Sequence, residues 1–583
     1  MNLKQARYKN GRVWLSVVKK YWKDGVSKTR TVKRIGWLDE LERDYDDPIA
    51  HFQAYAKELT EREQAEVAAK HVAIHPLEKI NTRTVNRKNL GFCALSSIYH
   101  GLGIDTFFKN HQRHRNFGYS TDAITRLLVY DRILHPSSKK EAFEEKDSYF
   151  ETFKFSIDDV YRSLSHIACV KDALIAHLNH EVGRLYGRSK EVVYYDVTNY
   201  YFEIDAEDGF KKKGVSKEHR PDPIVAMGLL VDSTGLPVAY ELYPGNTLDC
   251  KTLIGVLERI KGSARKEFGF GRVVAVADKG INTSDNIVAL LGRGDGYVFS
   301  QSVRGASAEL LRWVTDDTGY LSSDVTDAPV FKVKSRITER TLNVTVKEAT
   351  GRTRRQTKRV KITEKQVAFW SAKYAARAQC DRARALEKAQ NMVTNPPALK
   401  ALIDHTAAKY VRGITIDDNG VVIETKNVLF FDHERLLREE SLDGYYIIST
   451  SEIEKSDTEI IEMYRGLWRI EETFRVTKSD LAARPVFVSR KDHIEAHFLI
   501  CFVALLIIRI LQLKTEWKYS AHALATTLKD ASGSYFADNW YLFDHRDKVL
   551  DDIGTVLDLD FTKKNLTRGD IRTMVGSTKK RLA

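Results

Sequence analysis

The apolar and polar positions between residues 191 and 303 predict a mixed sheet whose later strands alternate with helices. Apolar runs rich in β-branched and aromatic residues, which are typical of buried strands, are separated by segments with helical periodicity. The predicted strands are 192–197, Ile224–Val231, Leu236–Tyr243, 272–277 and Gly296–Val303, and the predicted helices are Leu248–Lys261 and Thr283–Leu291. Ser233–Gly235 is a turn signal, so we expect the second and third strands to form a hairpin.

Three strands followed by helix, strand, helix and strand is the order of an RNase H-like mixed sheet, so the predicted fold class is α/β. A basic segment with short strand-like runs and one long helix, about Glu364–Met392, interrupts this core before the chain returns to it near Tyr445. The predicted parts are a basic N-terminal β-hairpin unit with a bridging helix (1–75), a helical region (76–190), the first part of the core (191–304), a basic insertion (305–440), the second part of the core (441–515) and a C-terminal region (516–583). The helical region fits either a DNA-binding module or a plain packing domain.

Composition adds the expectation of a polyanionic partner. The 583 residues include 92 Lys and Arg against 79 Asp and Glu, a net charge of +13 that favours nucleic acid. Five widely spaced cysteines without a CxxC pair argue against a zinc knuckle or a disulfide framework. The N-terminal segment has no apolar core, and the longest apolar run, Phe498–Ile508, is shorter than the ~20 residues of a membrane span. We therefore expect a cytoplasmic protein in which this run is a buried core helix.

Two acids follow apolar strand runs, Asp196 after Val192–Tyr195 and Asp278 after Val273–Ala277. Carboxylates at the ends of neighbouring strands can lie close together while the strands stay buried. Such a pair offers oxygen ligands of the kind that Mg²⁺ prefers. Each acid taken singly is weak evidence, because an acid after a strand is more often a turn or cap residue.

A predicted helix from about Thr458 to Ser479 offers a third carboxylate. At about 100° per residue, one stripe of this helix collects Tyr464, Trp468, Glu471, Arg475 and Lys478 beside an apolar stripe that should face the core. Glu471 should then lie near the border of the buried face, whereas Glu472 should point further outward. An amphipathic surface helix with ion pairs one turn apart would explain the charges as well.

These residues together resemble the bacterial DDE transposases of the cut-and-paste group named after insertion sequence four. The signature of that group is a D-x-T strand end, an A-D-x-G strand end and a helix with the pattern Y-(2)-R-(3)-E-(6)-K. The matching residues are Asp196–Thr198, Ala277–Gly280, and Tyr464, Glu471 and Lys478 at the matching spacings. The signature Arg falls on Leu467, which is a departure from the pattern.

The resemblance implies that Asp196, Asp278 and Glu471 form a catalytic triad that binds two Mg²⁺ ions, for which Mn²⁺ would substitute. Such an enzyme cleaves DNA at the ends of its insertion sequence and transfers the released 3′ end to target DNA. It also implies a homodimer that pairs two terminal inverted repeats at the bacterial nucleoid. The predicted DNA contacts are Tyr464, Trp468, Lys478, Arg465, Arg469, Arg475, His219, Arg220 and Trp370. For Trp370, a buried aromatic side chain at a helix start is the simpler alternative.

Two other functions remain open from the sequence. The first is an RNase H-like metal-dependent nuclease that cleaves without strand transfer. The second is a catalytically silent DNA-binding regulator derived from a transposase, for which three converging carboxylates would serve no purpose. A P-loop enzyme is disfavoured because the chain has no GxxxxGK[ST] motif.

Overall fold

The computed structural model describes residues 1–8, 11–23, 26–65, 79, 85–113, 117–188, 191–214, 217, 221–261, 271–322, 330–346, 356–394, 409–416, 422–537 and 539–580. The chain divides into two compact units, Met1–Thr82 and Arg83–Ala583. Each unit is described by itself.

The N-terminal unit is a three-stranded antiparallel sheet followed by two helices. Its elements are β1 (Asn2–Arg7), β2 (Val13–Lys23), β3 (Val26–Trp37), α1 (Leu38–Leu41) and α2 (Pro48–Ala65). The central strand β2 pairs with β1 on one side and with β3 on the other. The sequence predicts turns at Asn10–Gly11 and Asp24–Gly25 of this hairpin unit, and Asn10, Asp24 and Gly25 lie outside the described residues.

The second unit begins with a short strand and a series of helices. These are β4 (Arg87–Asn89), α3 (Phe92–Gly101), α4 (Ile104–Gln112), α5 (Thr121–Leu134), α6 (Lys139–Glu144), α7 (Ile157–Cys169) and α8 (Lys171–Tyr186). Serine side chains cap two of the helix starts, in sequence patterns that predict a helix N-terminus. The Ser120 hydroxyl accepts from the Ala123 N–H, and Ser156 forms a capping box with Asp159.

A nine-stranded mixed sheet forms the centre of the second unit. Its strands are β5 (Val192–Tyr201), β6 (Ile224–Asp232), β7 (Pro237–Pro244), β8 (Val274–Ala277), β9 (Gly296–Gln301), β10 (Leu321–Ser322), β11 (Phe331–Val346), β12 (Gln356–Ser371) and, after the separate pair β13 (Val411–Ile416) and β14 (Val422–Phe431), β15 (Tyr445–Thr450). The spatial order is β10-β11-β12-β15-β9-β8-β5-β6-β7. β5, β8 and β9 are parallel and their neighbours are antiparallel, which confirms the predicted α/β fold with a large mixed sheet.

Helices connect and cover these strands. They are α9 (Leu253–Lys261), α10 (Ser284–Gly292), α11 (Ala308–Thr315), α12 (Ala372–Thr394), α13 (His433–Glu440), α14 (Asp457–Arg465) and α15 (Trp468–Arg475). The C-terminal part contains α16 (Lys491–Lys514), α17 (Ala521–Asp530), β16 (Ser532–Ala537), β17 (Trp540–Phe543), α18 (Lys548–Leu557), β18 (Asn565–Thr567) and α19 (Arg568–Ser577). β4 pairs with β16 in a four-stranded sheet, so the first and last parts of this unit share one sheet.

The helix predicted over Glu364–Met392 is wrong in its first eight residues. Residues 364–371 belong to β12, which pairs with β11 along its whole length and with β15 over Lys365–Trp370. The run of Glu, Lys and Gln at its start favours a helix locally, but pairing on both sides of a central strand overrides that preference. Glu364 and Val367 are accordingly fully buried, and β11 and β12 extend the main sheet.

The core of the unit is built around α16. This helix is long and apolar enough to cross a membrane by length and composition, but 94% of its most apolar window is buried inside the protein. It packs against α3, α5, α7 and α17. The expectation of a buried core helix is therefore confirmed.

The guanidinium of Arg509 lies inside this core, with only 1% of its side chain exposed. It donates to Glu472 Oε2 at 3.2 Å, to Thr473 Oγ1 at 2.8 Å and to Gln512 Oε1 at 2.9 Å. Burial lowers the pKa of Arg509, and the neighbouring Glu472 carboxylate opposes that shift. The pair thereby joins α16 to α15.

Replacing Arg509 with Met should lower the free energy of unfolding by about 3 kcal/mol, because it leaves Glu472 and Thr473 without their donor. Arg475 is the matched control, because it pairs with the same Glu472 at 3.8 Å but is 50% exposed. Arg475→Met should cost less than about 1 kcal/mol. Urea unfolding of the two full-length variants checks the difference, and equal losses would contradict it.

Candidate active site

Asp196 and Asp278 lie at the same edge of the parallel strand pair β5–β8. This pair is short, with Val192–Tyr194 opposite Val274–Val276. Asp278 follows β8 directly, as predicted. Asp196 does not end its strand, because β5 continues to Tyr201 while it pairs with β6. On the side of β8, however, the pairing has ended before Asp196, so its carboxylate is not covered by that neighbour.

Hydroxyl groups from two other elements hold the Asp278 carboxylate. Ser300, on β9, donates to Asp278 Oδ1 at 2.7 Å. Tyr464, near the end of α14, donates to the same oxygen at 3.4 Å. Burial raises the pKa of the Tyr464 hydroxyl far above its usual value, so it remains a donor. Tyr464 therefore links the signature helix to the carboxylate at the end of β8.

The electrostatics of Asp196 are unfavourable for an ionised carboxylate. Burial, with smaller contributions from Asp249 and Asp278, raises the pKa of Asp196 to about 6. Lys217 opposes the rise, with its Nζ at 3.9 Å from Asp196 Oδ1. The same ammonium group donates to the Val197 carbonyl. A second positive charge at this point would stabilise the ionised form further.

The predicted single helix over Thr458–Ser479 is broken. α14 ends at Arg465, α15 begins at Trp468, and a wider π-type turn, Val476–Asp480, follows. Gly466 lies in the break and touches Tyr194 of β5, where a Cβ atom would overlap with the phenol ring. The break thus lets the signature helix approach the sheet beside Asp196, and the angles expected for a continuous helix do not apply beyond it.

The expected difference in burial between Glu471 and Glu472 is wrong. Glu471 is exposed, and in the part of the chain that the structure describes no hydrogen bond or ion pair joins its carboxylate to another residue. Glu472 is the more buried of the two and binds the buried Arg509. α15 is a separate helix from α14, so the angles of one continuous helix do not give its buried face. Glu471 is consequently the carboxylate of this helix that remains available to a ligand.

The donors suit a hard cation, but the three acids are not gathered around one point. Among the described residues, no group of three or more His, Cys, Asp or Glu side chains could hold a metal ion. The carboxylates of Asp196 and Asp278 are near enough to repel each other, which a divalent cation between them would relieve. The oxygen ligands of these two acids fit such an ion.

The predicted DNA contacts near α15 form a cationic and aromatic surface. Trp468 is 53% exposed, and the Arg469 guanidinium lies 5.1 Å from the centre of its ring. Burial and the nearby Lys217 lower the pKa of Lys478 to about 8, and its Nζ lies 5.7 Å from the Tyr200 ring. Leu467, at the signature Arg position, packs against the core instead of facing solvent.

The remaining predicted contacts are placed differently. Arg465 lies over the Phe331 ring at 5.5 Å, and Arg475 pairs with Glu472 and Asp480. Trp370 is part of β12 instead of a helix start, and its indole donates to the Asp443 carbonyl at 2.9 Å. His219 and Arg220 lie outside the described residues.

Sequence reasoning missed three residues of this site, Ser300, Lys217 and Gly466. Ser300 carried a usable signal, because it is a polar residue within the predicted strand Gly296–Val303, which pairs with the strand that leads to Asp278. Gly466 inside a helical pattern was a second signal, since a glycine there often marks a break or a close approach. No sequence signal placed Lys217 in the site, because only the fold brings it near Asp196.

Three comparisons with known proteins bear on this site. The family model described as a transposase DDE domain matches residues 202–507, which include Asp278 and Glu471 and begin shortly after Asp196. The chain is also similar to a cryo-EM structure of a piggyBac transposase synaptic complex with hairpin DNA, with 9% identity, a TM-score of 0.35 and coverage of 86% of this chain and 87% of that chain. No curated protein matches the chain.

Asp196→Asn should raise the melting temperature of the metal-free protein at pH 8. The raised pKa means that the folded state disfavours the charged carboxylate, so this residue lowers stability increasingly as the pH rises from about 4, where the unfolded chain ionises, to about 6. The gain should therefore shrink at pH 5, where Asp196 is largely protonated. Asp205→Asn, at an exposed position, is the control and should change little at either pH. Thermal unfolding in EDTA checks this prediction. A gain in melting temperature at pH 5 as large as the gain at pH 8 would contradict it.

Gly466→Ala should destabilise the protein by about 1–3 kcal/mol, because the added methyl group overlaps with the buried Tyr194. Gly183→Ala is the matched control, since nothing lies within 4 Å of its added Cβ inside α8. That substitution should stabilise by about 0.5–1 kcal/mol through helix propensity. Thermal unfolding of both variants gives the sign of each change in stability. A stabilised Gly466 variant would refute the close approach of Gly466 to Tyr194.

Proposed function

The chain belongs to the transposase DDE domain family, and from this premise we propose that it cleaves DNA at the ends of its insertion sequence and transfers those ends to target DNA. The observation that carries the proposal is that Asp196 and Asp278 lie at one edge of the β5–β8 pair, with Tyr464 of α14, the helix before that of Glu471, bonded to Asp278. Both reactions are attacks on a phosphodiester, and one acidic site would serve for both.

The core of the proposed enzyme is RNase H-like. The spatial order β7-β6-β5-β8-β9, with β6 antiparallel to β5, supports this assignment. The segment between β9 and β15 would then be the insertion, although its strands β11 and β12 join the main sheet. Both acids of the first part of the core would lie before this insertion, and Glu471 after it.

In the proposed mechanism, Asp196, Asp278 and Glu471 hold Mg²⁺, for which Mn²⁺ would substitute. The bound cations would activate the attacking oxygen and stabilise the leaving oxygen. Ser300 and Tyr464 orient Asp278 through their hydrogen bonds. Lys217 neutralises Asp196 until a cation binds. Glu471, whose side chain is exposed, would supply the third carboxylate.

DNA would bind along the basic surface of α14 and α15. Lys478 and the arginines 465, 469 and 475 would contact phosphates, with Tyr464 and Trp468 at the strand end. His219, Arg220 and Trp370 remain weaker candidates. The N-terminal unit and the helical region would recognise the terminal inverted repeats. A homodimer would pair two ends, and the reaction would take place at the nucleoid in the bacterial cytoplasm.

Asp196→Asn, Asp278→Asn and Glu471→Gln should each abolish cleavage while binding to the flanking DNA stays largely intact. The measurement is incubation of full-length protein with a plasmid that carries the gene's flanking sequence, with Mg²⁺ or with EDTA. Glu462→Gln is the matched control, because it changes an exposed acid on α14 and should leave cleavage unchanged. We expect metal-dependent breaks at two fixed positions, present in this control and absent in the three variants.

Cleavage that persists in one of the three variants would remove that residue from the triad. Scattered nicking without joined products would favour the nuclease. Fixed binding without any cut in the unaltered protein would favour the DNA-binding regulator.

A further inference from the structure

The loop that follows α16 holds Trp517 in an unusual backbone conformation. Glu516 and Trp517 have φ angles of 55° and 58°, in the left-handed region that non-glycine residues rarely adopt. The Glu516 N–H donates to the Leu513 carbonyl at 2.9 Å, and the Trp517 N–H to the Gln512 carbonyl at 2.7 Å. These bonds end the helix in the manner of a Schellman motif, in which the position of Glu516 is usually glycine. Two strained residues in sequence fix the direction of the indole.

The indole of Trp517 lies beside α15 instead of inside the core. Its tip is 3.1 Å from the position that a Cβ on Gly235 would occupy, and Arg469 Cδ is 3.9 Å from the same position. The Arg509 guanidinium lies 5.7 Å from the centre of the ring. Gly235, in the turn between β6 and β7, thus leaves room for Trp517 next to Arg469.

Trp517, Arg469 and Trp468 together form a surface that we name the tryptophan–arginine surface. Arg469 connects the two rings, since its Cδ and the tip of the Trp517 indole both border the position beside Gly235, and its guanidinium lies 5.1 Å from the centre of the Trp468 ring. The two indoles are 37% and 53% exposed, which is unusual for residues whose only role is core packing. This surface adjoins Glu471, which lies on the same helix as Trp468.

We propose that the tryptophan–arginine surface binds unpaired bases of the DNA strand that is cleaved at Asp196 and Asp278, with Trp517 as a stacking platform that the signature does not include. The inference rests on the proposed function. Aromatic rings flanked by arginine attract bases through stacking and phosphates through charge. The bases must be unpaired, because the faces of paired bases are covered by their neighbours in the duplex. The net charge of +13 favours a polyanionic occupant of this surface.

The test compares two single strands with the same number of phosphates. The first is a 16-nucleotide oligothymidine, and the second is a backbone of the same length built from abasic tetrahydrofuran units. Full-length unaltered protein, Trp517→Ala and Trp517→Phe are titrated against both by fluorescence anisotropy at fixed salt. We expect Trp517→Ala to bind oligothymidine about 10-fold more weakly and the abasic strand unchanged. Trp517→Phe should recover most of the loss because it keeps a ring.

Phe536→Ala is the control for removal of an exposed aromatic side chain, since Phe536 is 50% exposed on β16. It should leave both affinities unchanged. An equal loss on both strands in Trp517→Ala, or no loss on either, would overturn the inference, because a structural or purely electrostatic role does not distinguish bases from backbone.

The proposed function can fail separately from this inference. If the unaltered protein cleaves its flanking DNA but Trp517→Ala keeps full affinity for oligothymidine, the stacking surface is wrong and the transposase assignment stands. If the unaltered protein neither binds nor cuts its flanking DNA while Trp517→Ala shows the base-dependent loss, the surface stands and the transposase assignment fails.

Discussion

A buried guanidinium needs partners, and this requirement constrains the helix that carries Glu471. Arg509 lies in the long apolar helix α16 and donates hydrogen bonds to Glu472 and Thr473 of α15 and to Gln512 of its own helix. Because Glu472 is engaged in the core, the adjacent Glu471 is directed toward solvent. The same guanidinium lies near the Trp517 ring. Arg509 therefore contacts both α15 and that indole.

The site brings like and opposite charges close together on a small area of the sheet. Asp196 is partly buried near Asp249 and Asp278, so its ionised form is disfavoured without added positive charge. Lys217 supplies part of that charge, and Lys478 experiences the same cation as a repulsion. A site arranged in this way is poised to exchange one cation for another, which is a property expected of a carboxylate site that binds metal with its substrate.

The sequence allowed the sheet and its two aspartates to be predicted, because period and strand propensity are local properties. The positions of Asp196 and Asp278 at one edge followed from the parallel arrangement of their strands. The break at Gly466 did not follow, because it depends on a contact with Tyr194, which is distant in sequence. The helix prediction for residues 364–371 was wrong for the same reason, because strand pairing with β11 and β15 outweighs the helical preference of these residues. The burial of Glu471 and Glu472 was assigned wrongly because it assumed a straight helix.

The pairing of β4 with β16 has a consequence for biosynthesis. Residues 87–89 cannot pair until residues 532–534 have been synthesised, and α5 and α7 cannot bury their apolar faces until α16 has been synthesised. At about 5–20 residues per second, the ribosome takes on the order of tens of seconds to cover this distance. During that time the early helices lack their partner, and their exposed apolar faces make the nascent chain a client for chaperones. The second unit therefore folds as a whole only after most of it has left the ribosome.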